Sequence, residues 1–444
     1  MPTNILRVGI DDTDSSLGMC TTYLGFKMVG RLKKRGAKFS SYPRLVRFNP
    51  NIPWKTRGNG AVGIEFSTDD VKGDIECITR MIEKNADVKN GANPAAVFCT
   101  GDVPKSIRQL GNLAMWRLVR RADAKNIVCN ANLKSFHLGN GQGLVGAACV
   151  MGYDFGHDST LEMLSYRKPH MFGRHRSIDE NKVKHMQQKT APMTFSSYDE
   201  TRRRVMIAPH GPDPVLYGIR GEDAHSILAA SSMVKTREKS AGYMIFQSNQ
   251  GTASHLGHKL DVSSLEPYMA GTVSGVVYDA PRMLRGGHII FKVQTADGSI
   301  PCAVYKESGM TVALLHLVAK DKVTVGGGIR PASRSRPRVL NVEFVRIHHL
   351  KTIYEKINPT CLNCHKNMKS KGSRQGFKCI KCGDRATSKK TKQVIRTLQT
   401  GMYLPDISAQ RHLTRPAQRQ KRTNIPRFRE SFRWFYEFQK NSGE

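Results

Sequence analysis

The first apolar positions alternate: Leu6, Val8 and Ile10 fall on one side, Arg7 and Gly9 on the other. A period of two predicts a strand with one buried face. Acidic and hydroxyl residues follow at once, from Asp11 to Ser16, and beyond Gly18 the period changes. Thr22 to Lys34 lacks proline, carries Leu24, Met28 and Leu32 at helical spacing, and stops before Gly36, so a helix is predicted. Strands are predicted over Tyr42 to Phe48 and Ala61 to Phe66, with a turn-rich loop between them. Helices are predicted over Lys72 to Lys84 and Ile107 to Ala124, the second capped by Ser106. Phe136 to Gly152 is dense in glycine and Tyr166 to Thr194 is basic without a period, so neither receives an element. Strand patterns return at Arg204 to Ala208, Val215 to Ile219 and Gly242 to Gln247, with a helix over Asp223 to Ser231.

From about Leu265 the texture becomes all β. Five runs read as strands: Met269 to Tyr278, His288 to Thr295, Ile300 to Tyr305, Lys322 to Val325 and Val339 to Ile347. A short helix over Met310 to Val318 stands between the third and fourth, which is the order of an OB-fold barrel. Gly326 to Arg338, with four arginines, reads as a basic loop. The fold class expected is multidomain α+β, closed by a β-barrel.

At 444 residues the chain is too long for one core, and about three domains are expected. The longest apolar run, Gly143 to Gly152, is too short to cross a bilayer, which takes about 20 residues. Met1 to Asn4 lacks the layout of a secretory signal. A cytoplasmic protein without membrane contact is therefore expected. Seventy Lys and Arg against 36 Asp and Glu give a net charge of +34, which favours a polyanionic partner. Residues 351–444 hold 22 basic and 6 acidic residues, or +16 of that total. Six of the ten cysteines are scattered singly and read as thiols in a reducing compartment.

Asp11, Asp12 and Asp14 stand where the first predicted strand ends. Like charges this close are unfavourable unless a cation or basic group offsets them. Mg²⁺ fits, since it takes carboxylate oxygens and shares its shell with substrate phosphates. Asp and Ser also build Asx turns and helix caps, so a purely structural role stays open. Gly18-Met19-Cys20-Thr21-Thr22 opens the helix, where N–H groups and the hydroxyls of Thr21 and Thr22 can hold phosphate. No Walker lysine follows. Lys55, Arg57 and Asn59, beside Gly58 and Gly60, offer either a cationic clamp for phosphoryl transfer or a solvated loop.

The remaining cysteines form two Cys-x-x-Cys knuckles, Cys361/Cys364 and Cys379/Cys382, 14 residues apart. That spacing predicts a structural Zn²⁺ held by four thiolates with no open position. Lys366, Lys369, Lys371 and Arg374 stud the ribbon, and Arg411 and Arg415 begin a basic tail interleaved with Phe428, Phe432, Trp434, Phe435 and Tyr436. Cations track phosphate and aromatics stack on bases. Aromatics at such spacing also pack into cores, and both readings stay open.

Several runs resemble the archaeal tRNA 2-agmatinylcytidine synthetases. They are Gly9 to Ser15 with Gly18 to Tyr23, Pro43 to Arg47 leading into Asn49 to Ala61, Gly143 to Ala147, Tyr166-Arg167, Pro209 to Glu222, and Asn249 to Thr252. The resemblance runs through the barrel-like region and the ribbon. It implies an unusual kinase-like domain over 1–120 and a ferredoxin-like domain over 121–264. An OB-fold over 265–350, a zinc ribbon over 351–390 and a basic tRNA-binding tail over 391–444 would follow. It implies a ligase acting on an isoleucine tRNA with a CAU anticodon. ATP would phosphorylate the 2-oxo group of the wobble cytidine, agmatine would displace the phosphate, and ATP would end as AMP and diphosphate. The 2-agmatinylcytidine so formed serves AUA decoding, and no obligate protein partner is implied. Thr21 is the family's autophosphorylation position, and the aspartates are associated with Mg²⁺ and catalysis. Agmatine is a dication, so carboxylates are expected around it, with Asp213 and Glu222 as candidates; Arg220 would instead hold a phosphate. The chain departs from the family at Ala253, where an aspartate is frequent, and in a less basic run around Gln410. An RNA-associated kinase and a non-catalytic tRNA-binding protein are the alternatives.

Overall fold

The computed structural model describes residues 4–56, 58–334 and 337–438. The first 140 residues contribute β1 (Asn4–Asp11), β2 (Arg44–Arg47), β3 (Gly60–Thr68), β4 (Ala95–Thr100) and β5 (Lys134–His137), in the order β5-β4-β1-β3-β2. β1 runs antiparallel to both β3 and β4. Leu6, Val8 and Ile10 face one layer of helices, α1 (Thr21–Lys34) and α2 (Val71–Asn85). The opposite face carries α3 (Lys105–Leu113), α4 (Arg121–Asn130) and α5 (Leu144–Gly152), packed on Ala61, Ala95, Val97 and Cys99. Residues 121–152 thus complete the core of the first sheet.

Where one helix was expected over Ile107 to Ala124, there are two. Ser106 lies inside α3, whose cap is Pro104. The break falls at Trp116, which turns toward the barrel. Its carbonyl accepts from Ala270 N, and its ring stacks on His258 at 3.8 Å. Tertiary contact overrides helical propensity here. α5 was hidden by its glycines, which let it lie directly on β1. A Cβ on Gly146 would strike the Asp11 carboxylate, and one on Gly9 would strike the Ala147 carbonyl.

The second half adds β6 (Thr160–Arg167), α6 (Glu180–Thr190), β7 (Thr194–Phe195), the small pair β8 (Tyr198–Asp199) and β9 (Arg204–Val205), β10 (Val215–Gly221), α7 (Ala224–Met233) and β11 (Ser240–Ser248). Its strands stand in the order β11-β6-β10-β7. β11 lies parallel to β2, with Gln247 opposite Arg44 and Ser248 opposite Leu45, so the two halves share one continuous sheet. The strand expected over Arg204 to Ala208 shortens to β9.

A five-stranded barrel follows: β12 (Ala270–Val277), with the two-residue β13 (Arg282–Met283), then β14 (Ile289–Thr295), β15 (Gly298–Val304), α8 (Thr311–Leu314), β16 (Lys322–Arg330) and β17 (Val339–His349). The ring closes as β12-β16-β17-β15-β14 and back to β12, with β15 and β17 parallel. Part of the expected basic loop continues β16 as far as Arg330. Val273, Phe291, Ile300, Leu314, Val325 and Val345 fill the interior.

The ribbon comprises β18 (Tyr354–Ile357), β19 (Lys369–Ser370), β20 (Phe377–Lys378), β21 (Arg385–Ala386) and β22 (Lys390–Gln393). The chain then adds β23 (Gly401–Tyr403) to β17 of the barrel, crosses back, and ends as β24 (Phe435–Glu437) on β11. Trp434 is buried against Phe39, and Phe428, Phe432 and Phe435 join the same core. Packing is therefore the role of those aromatics. Among the described residues, no helix is long and apolar enough to cross a membrane.

Arg419 anchors this returning strap. It is fully buried, with Nε donating to Glu222 at 2.6 Å, Nη2 to Asp158 at 2.8 Å and Nη1 to the Gly251 carbonyl at 2.7 Å. Removing one partner of a buried ion pair leaves the other desolvated and costs about 3–5 kcal/mol. Arg419→Met should lower the unfolding free energy by about that amount in urea titrations. A loss within about 0.5 kcal/mol, typical of a surface change, would show that the strap is held elsewhere.

Candidate active-site cleft

A cleft of about 1310 Å³ opens between the two halves of the long sheet. Its walls bring together Asp11, Asp12, Asp14, Thr21 and Thr22 from the first half, Asp213 and Arg220 from the second, and Arg411 and His412 from the strap. Lys55 and Asn59 also line it; Arg57, expected beside them, lies outside the described residues. Gly18 is not among the lining residues.

The acidic loop is under electrostatic load. Asp11 ends β1 and is pressed against α5 at Gly146, so burial, and then the Asp12 charge, raise its pKa well above the usual carboxylate range. Asp12 adopts a left-handed backbone at φ 55°, rare for a residue with a side chain. Its carboxylate accepts from Asn93 N and Thr56 Oγ1, both at 3.3 Å. Burial and the Asp14 charge push its pKa up to about 6. Asp14 accepts from Thr21 Oγ1 at 3.2 Å, and Thr13 Oγ1 lies 3.1 Å from the same hydroxyl. Thr21 is the first residue of α1, a turn whose backbone N–H groups have no intrahelical acceptor, and it lines the cleft with Thr22.

The opposite wall is a polar chain. Arg220 Nε donates to Glu162 at 3.1 Å, Gln250 donates to the other Glu162 oxygen, and Arg220 Nη2 lies 2.7 Å from His412 Nδ1. Burial, and then Arg47 and Arg220, hold the His412 pKa well below its ordinary value, so the ring is neutral at neutral pH. Asp213 is buried, and Arg176 Nη2 donates to it at 3.3 Å.

Two expected ligand residues are corrected. Glu222 does not line the cleft; both its oxygens accept from Arg419, so its charge is used inside the protein. Arg415 does not reach outward to RNA; its guanidinium donates to Asp158 at 2.5 Å and to the Thr252 and Arg422 carbonyls. Sequence reasoning also missed Arg47, Glu162 and Gln250 as lining or wall residues. Arg47 and Gln250 lay inside runs already singled out; His412 stands beside Arg411 in the run around Gln410 that departs from the family, but was given no role of its own.

Lys366, Lys369, Lys371 and Arg374 are exposed on the ribbon. The Sγ atoms of Cys361, Cys364, Cys379 and Cys382 lie within 4.8 Å of one another, which fits a closed tetrahedral thiolate zinc site. This is the one such group found among the described residues, so the three aspartates are not gathered around a single point.

A carboxylate loop facing a cationic wall, with a small barrel and a thiolate ribbon attached, defines a multidomain enzyme of phosphoryl and nucleic-acid chemistry. Three family models match along the chain: the TiaS TCKD domain over residues 7–85, the TiaS FLD domain over 141–255 and the TiaS C-terminal zinc ribbon domain over 358–398. The tRNA 2-agmatinylcytidine synthetase TiaS of Cenarchaeum symbiosum is 50% identical over 439 residues, covering 99% of this chain and 98% of its own. That of Archaeoglobus fulgidus is 36% identical over 411 residues, covering 92% and 96%. A crystal structure of TiaS in complex with an isoleucine tRNA, AMPCPP and agmatine superposes with a TM-score of 0.83 at 33% identity, covering 96% of this chain and 100% of that one. The chain belongs to the TiaS family of tRNA 2-agmatinylcytidine synthetases.

The load on Asp12 has a measurable consequence. Its folded pKa, about 6, lies above its ordinary 3.8, so the folded state binds the proton more tightly. Its contribution to stability is complete below about pH 4 and is lost as pH rises through about 6. In chelator, the melting temperature of the wild type should fall more steeply across that window than that of Asp12→Asn. Parallel curves would show that Asp12 titrates normally.

Proposed function

We propose that this protein is an ATP-dependent ligase that joins agmatine to C2 of the wobble cytidine of a CAU-anticodon isoleucine tRNA, forming 2-agmatinylcytidine. The observation that carries the reading is the single cleft in which the acidic loop, the Asp213 wall and the strap meet, in a chain similar over nearly its full length to family members. An oxo group is a poor leaving group, and phosphorylation makes its displacement by a primary amine feasible.

Each wall has a part in that reaction. Asp14 orients the Thr21 hydroxyl, which stands at a helix N-terminus suited to phosphate. Asp11, Asp12 and Asp14 are the candidates to share Mg²⁺ with nucleotide phosphates, and because they do not already gather on a single point some of them would have to shift to meet one ion. Burial, and then neighbouring like charges, raise the pKa values of Asp11 and Asp12, a cost that a cation relieves. Bound there, Mg²⁺ would neutralise charge developing on the transferred phosphoryl group. Lys55 and Asn59 face the same space and serve the nucleotide. Asp213 is the carboxylate for the cationic amine. Thr22 and Gly18 shape the start of α1.

The long sheet divides into a kinase-like first part and a ferredoxin-like second part, joined at β2 and β11. The order and the parallel β15–β17 pair support an OB-type barrel. The ribbon lysines and Arg374 take RNA phosphates, and Arg411, on the cleft wall, meets the substrate loop where it enters. Anticodon-loop bases can be splayed out, which suits a recessed site. A cytoplasmic setting agrees with ten unpaired cysteines.

The decisive test is incubation with ATP, Mg²⁺, labelled agmatine and the tRNA transcript, followed by digestion and mass analysis of nucleosides. A labelled cytidine derivative is expected, dependent on ATP and abolished in Asp12→Ala with tRNA binding retained. ADP as the sole nucleotide product, with no incorporation, would make the protein a kinase instead.

Binding of tRNA should weaken steeply with salt, with a log–log slope of roughly 0.7 to 0.9 per phosphate contact. Joint replacement of Lys366, Lys369 and Lys371 by Ala should reduce that slope by about two to three. An unchanged slope would remove the ribbon from the RNA interface.

A further inference from the structure

The ribbon is a head on a stalk. Its own small core is built from Cys361, Met368, Phe377 and Cys379. β18 and β22, which carry it, pair from Tyr354 opposite Gln393 to Ile357 opposite Lys390, and nearly every residue in them is exposed. Among the described residues, no hydrogen bond or ion pair ties residues 358–389 to any other part of the chain. What fixes the direction of the stalk therefore lies at its base.

Lys351 stands just before β18 and Arg396 just after β22, and both meet one carboxylate of the barrel. Asp321, fully buried ahead of β16, accepts on Oδ1 from Lys351 N at 2.8 Å and Arg396 Nη1 at 2.6 Å. On Oδ2 it accepts from Val318 N at 2.9 Å and Arg396 Nη2 at 2.8 Å. Arg396 also donates to the carbonyls of His316 at 2.8 Å and Lys351 at 3.3 Å. Immediately above, Val394 N donates to the Ile353 carbonyl at 2.9 Å and closes the base of the stalk. Burial acts to raise the Asp321 pKa, yet the Arg396 fork and the two N–H groups hold it below the usual carboxylate range. The barrel closes through its own strands and apolar interior, so the clamp adds a constraint on the stalk. Four residues of strand span about 13 Å, and a tilt at the base is magnified at Lys366, Lys369, Lys371 and Arg374, all exposed on the head.

We propose that Asp321 and Arg396 are positioning residues, whose clamp holds the ribbon in the direction from which its cations meet tRNA while the anticodon loop occupies the cleft. The proposal rests on the tRNA reading above, with the ribbon lysines as phosphate contacts. Neither residue touches substrate; both act through the ribbon. A guanidinium suits this task because its planar fork spans both carboxylate oxygens and still reaches two carbonyls, whereas an ammonium offers its charge from a single point.

The test is Arg396→Lys in the full-length protein, which keeps the charge and loses the fork. The variant should hold the competent direction about a tenth of the time, so tRNA affinity falls about tenfold. Its bound state makes the same phosphate contacts, so the salt slope should match the wild type. KM for tRNA should rise by the same factor, with kcat at saturating tRNA, zinc content and KM for ATP unchanged. In the protein already carrying alanine at Lys366, Lys369 and Lys371, the same substitution should cost less than about twofold, since a ribbon that takes no phosphate gains little from being aimed. Hydrogen exchange without tRNA gives a second reading: amides of residues 353–357 and 390–394 should exchange faster while barrel amides stay protected. Wild-type tRNA affinity in Arg396→Lys, an equal loss in both backgrounds, or faster exchange throughout the barrel overturns the clamp and makes the pair a barrel strut. Wild-type affinity in the triple-alanine protein overturns the ribbon reading itself, and this proposal with it.

Discussion

The geometry of this protein depends on one buried guanidinium. Arg419 has no contact with water, and a charge in that position persists only when paired and hydrogen-bonded. Its partners come from three places: Asp158 just before β6, Glu222 just after β10, and the carbonyl of Gly251 after β11. Asp158 is shared further, taking Arg415 and the Asn424 N–H. The strap is thereby fixed against the second half of the sheet from Arg415 to Asn424. That attachment places Arg411 and His412 on the cleft wall. A segment far from the acidic loop in sequence becomes part of its site because a buried charge leaves it few other places to lie.

The same logic, inverted, applies at the acidic loop. There burial, and then neighbouring like charges, raise the pKa values of Asp11 and Asp12, and Asp12 takes a left-handed backbone. Strain of this kind survives only where the surrounding structure over-determines it. β1, held between β3 and β4, and α5, seated on it through Gly9 and Gly146, supply that rigidity. One end of the cleft is thus stabilised by completed ion pairs, and the other holds Asp11 and Asp12 in a rigid frame despite burial and neighbouring like charges.

What could be read in the sequence follows from how local its signal was. β1, α1, the five barrel strands and the cysteine knuckles each announce themselves within a short window, by period or by spacing. β4 does not: Ala95 to Cys99 is buried on both faces, so it has no alternation to detect. α5 is apolar all round and interrupted by glycine, a composition that reads as loop until its neighbour is known. β6 is buried throughout for the same reason as β4. At the site, the aspartates were legible because three acids in four positions are unusual. Glu222 was misread because its partner, Arg419, lies 197 residues away. His412, though it adjoins the candidate Arg411, was given no role, since its place beside Arg220 arises only when the strap folds back.

Net charge proves to be a mixed signal for the same reason. The excess of +34 reads as affinity for a polyanion, yet many arginines here are internal struts. Arg167 is fully buried on Glu238, Arg176 holds Asp213, and Arg396 grips Asp321. Arg415 and Arg419 do the same for the strap. Other cations stay exposed, from Lys27 and Lys33 on α1 to Lys366, Lys369, Lys371 and Arg374 of the ribbon. The division fits the two side chains. A guanidinium is weakly hydrated and forks across two oxygens, so it is the cation that can be buried with least loss, whereas a lysine ammonium is strongly hydrated and better kept at a wet interface. The surface open to a polyanion is therefore smaller than the charge count suggests, because several of the arginines that the count included are spent holding the protein's own carboxylates.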